Sequence, residues 1–181
     1  MSGKRSEPAD GGAAAVGDLV IDNLRKSDGA ALWRMARDSG KLDLNSSYAY
    51  LLWAQDFADT SVIARLDGDP VGFVIGYRQQ RAPDTAVVWQ VAVDARARGR
   101  GLAGRLLDRM YTPLVGDGVR YLETTITPDN EASIALFAAF AQRWGAELTR
   151  SDLFAADDFP DGHEPEDLYR IGPLHTPQQS G

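Results

Sequence analysis

The chain has 181 residues, 44% of them hydrophobic, carries a formal net charge of −7 at neutral pH, and contains no cysteine. That length and apolar share predict one domain with its own core, and the acidity argues against nucleic acid as a partner. Without cysteine there are no disulfides, thiolate metal sites or cysteine-bound acyl intermediates, and with only His163 and His175 as imidazoles no metal is expected.

Residues 1–17 are rich in Gly, Ala, Ser and charge without periodicity, and read as a disordered leader to a domain over 18–173. They lack a signal-peptide pattern, and no apolar run could span a membrane, so a cytoplasmic location without membrane contact is expected. Val20 to Leu24 suits a first strand. Ser27 suits a helix N-cap, Leu32, Met35 and Ala36 make one apolar face, and Gly40 suits the stop. Leu42 to Asn45 reads as a loop, and Ser46 or Ser47 caps a helix to about Phe57. Trp53 and Phe57 are read first as aromatics packing on a sheet. Asp43, Asn45 and Tyr48 surround the helix start, where plain capping is the simplest account.

Ser61 to Leu66 and Val71 to Tyr77 are two strands joined by Asp67-Gly68-Asp69-Pro70, a hairpin signal. After a loop holding Pro83 comes VVWQVAVDARARGRGLAGRLLDRMY, Val87 to Tyr111. An apolar strand to Val93 gives way to a polar turn, then to Gly99, Gly101 and Gly104, then to Leu102, Leu106, Leu107 and Met110 at helical spacing. Strand, glycine loop and helix start together make a phosphate seat: glycine permits close approach, and a helix N-terminus offers free N–H groups and the positive dipole end. Arg96, Arg98 and Arg100 add charge. Tyr121 to Ile126 is the next strand. Pro128-Asp129-Asn130 opens a helix with Ile134, Phe137, Ala138 and Ala141 on one side, ended by Trp144-Gly145. Glu147 to Phe154 is a strand, Ala155 to Pro165 an acidic loop, Leu168 to Ile171 a final strand, and 174–181 a flexible tail. The order is mixed α/β.

Two ligand readings compete at the glycines. Gly99-x-Gly101-x-x-Gly104, with Glu123 lying 19 residues beyond, fits a dinucleotide fingerprint. Against it, five residues separate the strand from Gly99, and the 77 residues after Gly104 leave little room for a doubly wound sheet. The better match is Arg96-x-x-Gly99-x-Gly101 followed by Leu102-Ala103, which resembles the acetyl-CoA pyrophosphate loop of the GCN5-related N-acetyltransferases. The stretches LDLNSSYAYLLW, FADTSVIA, VWQVAVD, RGRGLA, ETTITPDNEAS and HEPEDLYRIGP further resemble the L-2,4-diaminobutyrate acetyltransferases.

That resemblance implies a single-domain α/β fold, a mixed central sheet flanked by helices, with acetyl-CoA as cosubstrate. It implies acetyl transfer to the 4-amino group of L-2,4-diaminobutyrate on the route to the compatible solute ectoine, by a cytoplasmic homodimer. Another small amine, a protein amine, or a non-catalytic acetyl-CoA sensor are the alternatives. The pyrophosphate is expected on backbone amides from Arg98 through Gly99, Arg100, Gly101 and Leu102 to Ala103, with Arg96 or Arg98 assisting. Val91 and Val93 should pair with the pantetheine arm, and Asn130 and Ser133 should lie near its thiol end. For the diamino acid, Asp43 is expected to bind an ammonium, with Asn45, Tyr48 and Trp89 shaping the pocket and His163 in support.

The superfamily often carries a glutamate base on the cofactor strand, where this chain reads Trp89-Gln90-Val91. Glutamine cannot take a proton, so Glu166 or Glu164, held beside Pro165, is the expected base, with Asp43 and Glu123 as further candidates. The leaving-group acid is equally open. Seven residues beyond Asn130 stands Phe137 rather than tyrosine, leaving Tyr48 as the candidate hydroxyl or an unassisted thiolate.

Overall fold

Alternation along the central strand sets up two apolar layers. In the computed structural model, which describes residues 17–175, Asp69–Arg78 is a strand buried on both faces from Val71 to Gly76. Phe73 and Ile75 point to one layer; Gly72 and Gly76 underlie the other, where a Cβ would meet Leu106 at 3.2 Å and Met110 at 2.7 Å. Small residues at alternate positions thus let a helix lie close on the sheet.

The elements run β1 (Leu19–Asn23), α1 (Gly29–Ser39), α2 (Ser47–Asp56), β2 (Val62–Leu66), β3 (Asp69–Arg78), β4 (Thr85–Val93), α3 (Leu102–Gly116), β5 (Tyr121–Ile126), α4 (Glu131–Arg143), β6 (Glu147–Phe154) and β7 (Glu166–Gly172). The strands form one sheet in the order β1-β2-β3-β4-β5-β7-β6, parallel at β4–β5 and antiparallel elsewhere. This is the expected mixed sheet flanked by helices. One layer holds α3 and α4 through Leu106, Leu107, Met110 and Phe140; the other holds α1 and α2 through Leu32, Met35 and Tyr50.

The hairpin between β2 and β3 is the two-residue turn Asp67-Gly68, with φ of 52° and 88°, the sign that strand twist demands at both positions. The last strand begins at Glu166, two residues before the expected Leu168, which puts Glu166 on the sheet rather than in the acidic loop. At the C-terminus Leu174 is fully buried and its N–H donates to the Arg120 carbonyl, so packing runs one residue past the expected end of the domain. The leader to residue 16 and the tail from 176 lie outside the described residues.

Candidate active site

β4 and β5 are paired only where Thr85–Val87 faces Tyr121–Glu123, and beyond that they part. The β5-facing edge of β4 from Val88 onward is thereby left unpaired by β5, opening onto a cavity of about 480 Å³. Val88, Val91, Thr124 to Thr127, Asn130, Ser133 and Phe137 line it. An extended ligand arm can complete the sheet in such a gap. Asn130 caps α4, its side chain accepting from the Ser133 N–H at 3.1 Å, which places both expected thiol-end residues on the cavity wall.

At the C-terminal end of β4, Asp94 accepts from the Arg96 N–H and starts a 3-10 turn, Ala95–Ala97. Gly99 and Gly101 then adopt φ of 73° and 67°, the left-handed region, and a Cβ at either would meet nothing within 4 Å. Their glycine requirement is conformational, not a matter of protein packing. Gly101 caps α3 without a side chain, so the first-turn N–H groups of Leu102 and Ala103 are open to an anion, and no acidic residue sits in that turn to compete. Gly104 serves a different end: a Cβ there would meet the Arg143 guanidinium at 3.1 Å, where Arg143 clamps Asp108 between α3 and α4. Arg96 and Arg98 do not aim freely at the loop. Arg96 pairs with Asp69 and Asp94 and donates to the Pro70 carbonyl, while the Arg98 Nε donates to the Val93 carbonyl at 3.0 Å. The backbone, more than these side chains, makes the seat.

The acceptor side is a second cavity of about 710 Å³, sharing Asp43, Trp89, Thr124, His163 and Glu166 with the first. Where the two meet, His163 Nε2 lies 2.9 Å from Asp43 Oδ2 and 3.8 Å from Glu166 Oε1. His163 Nδ1 lies 2.6 Å from the Glu164 carbonyl oxygen. A carbonyl can only accept, and so can an ionised carboxylate, so both ring nitrogens are called on to donate. The Glu164 carbonyl first, and Asp43 second, raise the imidazole pKa above its ordinary value. Of the two carboxylates Asp43 is the partner of the ring at 2.9 Å, while Glu166 at 3.8 Å stands beyond hydrogen-bond reach. Asp43, His163 and Glu166 bring three potential ligand atoms within 4.8 Å of one another, but Asp43 is 75% exposed and an imidazole that donates from both nitrogens has no lone pair for a metal, so it is the two carboxylates that suit an ammonium.

Trp89, on the wall of the acceptor cavity, stacks at 4.7 Å on Trp53, which Phe57 and Tyr77 pack against in turn. Asn45 also lines that cavity, donating to the Asp43 carbonyl at 3.3 Å. One expectation fails here. Tyr48, at the first turn of α2, is 67% exposed and lines neither cavity, because the aromatic that turns inward from α2 is Tyr50. Glu164 lines the first cavity but is exposed and meets His163 through its carbonyl, whereas Glu166 lines both cavities and is the better-placed carboxylate. Glu123 lines the acceptor cavity but is buried and already paired, with Arg170 and with Gln79 Nε2, from which it accepts. It is therefore neither a free base nor a ribose ligand. The residues missed by sequence reasoning are Tyr50 and the Thr124–Thr127 run; for the run, polar threonines at the end of a buried strand were the signal.

A parted pair of parallel strands with a glycine-capped helix at its mouth is the architecture of an acyl-CoA-dependent acetyltransferase, and the chain matches the Acetyltransferase (GNAT) family over residues 30–141. The chain belongs to that family and, within it, to the L-2,4-diaminobutyric acid acetyltransferases. The protein of that name from Streptomyces coelicolor is 59% identical over 165 residues, 89% of this chain and 96% of the relative. The one from Nocardia farcinica is 54% identical over 159 residues, covering 88% and 82%. Among solved structures, diaminobutyrate acetyltransferase EctA from Paenibacillus lautus, in complex with L-2,4-diaminobutyric acid and coenzyme A, superposes with a TM-score of 0.82 at 41% identity, covering 87% of this chain and 96% of that one.

Proposed function

We propose that the protein transfers the acetyl group of acetyl-CoA to the 4-amino group of L-2,4-diaminobutyrate, giving N4-acetyl-L-2,4-diaminobutyrate for ectoine synthesis. The observation that carries this reading is the junction of the two cavities, where Asp43, His163 and Glu166 face the end of the gap between β4 and β5. The arm of acetyl-CoA enters through that gap, its pyrophosphate on the amides from Arg98 to Ala103 and its thioester near Asn130 and Ser133. An amine pKa near that of lysine, about 10.4, leaves roughly one molecule in a thousand neutral at pH 7.4. Asp43 binds the incoming ammonium, and Glu166, directly or through a water, takes its proton. The freed amine attacks the thioester carbon, the nitrogen of the tetrahedral adduct loses its second proton to solvent, and the C–S bond then breaks to leave the amide. Phe137 has no proton to offer and Tyr48 stands outside the cavities, so coenzyme A departs as thiolate unassisted. With a thiol pKa near 8.5 it needs little help.

Steady-state assays with acetyl-CoA against diaminobutyrate, ornithine, lysine and a peptide amine test the reading. Preference for diaminobutyrate is expected. Acetyl-CoA binding without turnover of any amine would instead establish a sensor.

We infer that the protein works as a homodimer in the cytoplasm. Among the described residues no helix is long and apolar enough to cross a membrane. Trp33 and Trp53, two aromatics that could have marked an interface, pack on the second apolar layer. Half-exposed Leu153 and Phe154 on β6 remain, and they support association through that strand. Sedimentation at micromolar concentration should give about twice the mass of a 19.7 kDa chain; a monomer throughout would reject it.

A further inference from the structure

The amide of Gln90 occupies the place on β4 where a base would be expected, and it is 6% exposed. Its surroundings assign it a different task. The pairing of β3 with β4 skips Trp89: Val88 lies opposite Gly76 and Gln90 opposite Ile75. This bulge reverses the alternation of the strand. Ala86 and Val88 face α3 and α4 before it, and Val91 and Val93 do so after it. Gln90 is thereby turned to the opposite face, under α2. There its Nε2 donates to the Asp43 carbonyl at 2.9 Å and its Oε1 accepts from the buried Tyr50 hydroxyl at 3.0 Å. A carbonyl can only accept, which fixes the amide orientation and makes Tyr50 the donor. Neither glutamate nor leucine satisfies both ends.

We infer that Gln90 is a positioning residue for diaminobutyrate: anchored by Tyr50, it pins the backbone of the Leu42–Asn45 loop so that the exposed carboxylate of Asp43 is held against His163. The inference rests on the function proposed above. Asp43 is otherwise a solvated residue on a loop, tied at the same carbonyl only by Asn45 at 3.3 Å and at its carboxylate by His163. Removing the amide leaves a buried hydroxyl and a carbonyl without their partner and frees the loop.

The test compares wild type with Gln90→Met and Tyr50→Phe. For Gln90→Met, KM for diaminobutyrate should rise about tenfold while KM for acetyl-CoA stays within twofold. Tyr50→Phe, which keeps the bond to Asp43 but loses the anchor, should give about a threefold rise, and it carries the test if Gln90→Met does not fold. By NMR the His163 titration midpoint, separable from that of His175 with a His175→Gln control, should fall in Gln90→Met because Asp43 no longer sits beside the ring. Equal rises in both KM values, or an unmoved His163 midpoint alongside a lowered Tm, would overturn the inference and leave Gln90 a core polar residue. A wild type inactive on diaminobutyrate would reject the proposed function instead, and the NMR arm would still decide this one.

Discussion

Replacing Glu166 by glutamine removes a charge and a proton acceptor while preserving shape, so it isolates the base from the architecture. Glu166 opens β7 and lines both cavities, with its side chain 21% exposed and 3.8 Å from His163 Nε2. General bases contribute roughly 10²–10⁴ in rate. Because Glu166 is partly open to solvent, water can stand in for it, and the lower end applies: about a 100-fold loss of kcat at pH 7.4, or about 2.7 kcal/mol at 1.36 per tenfold. The variant must wait for amine that is already neutral, and that fraction grows about tenfold per pH unit below 10.4. Its kcat should therefore climb toward the wild-type value between about pH 7.4 and 9.5, while wild type changes far less. The chain has no cysteine, so a thiol reagent reports released coenzyme A with no background from the protein. A variant within threefold of wild type at pH 7.4, or one whose pH slope parallels wild type, refutes the assignment and moves the proton to Asp43 or Glu164.

Asp43→Ala should raise KM for diaminobutyrate about tenfold and spare acetyl-CoA, the low end of what a charge-assisted contact contributes because Asp43 is largely exposed; equal effects on both substrates would mean a folding role. Gly101→Val forces a β-branched residue into φ of 67° and puts its methyls where the phosphate must approach, so acetyl-CoA KM should rise at least about tenfold with helical circular dichroism retained; unchanged cofactor binding would contradict the glycine seat. His163 has a raised folded pKa, so its stabilising contribution is complete below the unfolded value near 6.5 and is lost as pH rises through the folded one. The Tm gap between wild type and His163→Gln should thus be widest at acid pH and close on going alkaline; a gap that widens with pH would show that the neutral ring is the stabilising form.

What the sequence could disclose was whatever a single residue's chemistry demands. Gly99 and Gly101 were legible because positive φ selects glycine, and Asp67-Gly68 because a two-residue hairpin needs positive φ twice. Pro128-Asp129-Asn130 was legible as a helix start, and Asn130 is indeed the cap, accepting from the Ser133 N–H. By contrast, the placement of Gln90 depends on one inserted residue in one strand. Val87 to Val93 reads the same with or without a bulge, since apolar residues fall at nearly every position, so no alternation betrays the reversal at Trp89. The same limit misplaced Tyr48. An aromatic helix, SYAYLLWAQD, carries apolar residues on all sides, and periodicity cannot say whether Tyr48 or Tyr50 turns inward. Packing against Gln90 decides it for Tyr50, and that contact exists only because the bulge put Gln90 there. Gln90's task under α2 therefore follows from the register shift in β4, and Tyr50's hydrogen bond follows from Gln90's place there. It follows that deleting Trp89, the extra residue, should leave a regular ladder with Val88 still opposite Gly76 and Gln90 still opposite Ile75 under α2, so the His163 titration midpoint should stay at its wild-type value; a fallen midpoint would show that the bulge itself, and not the register, holds Gln90 there.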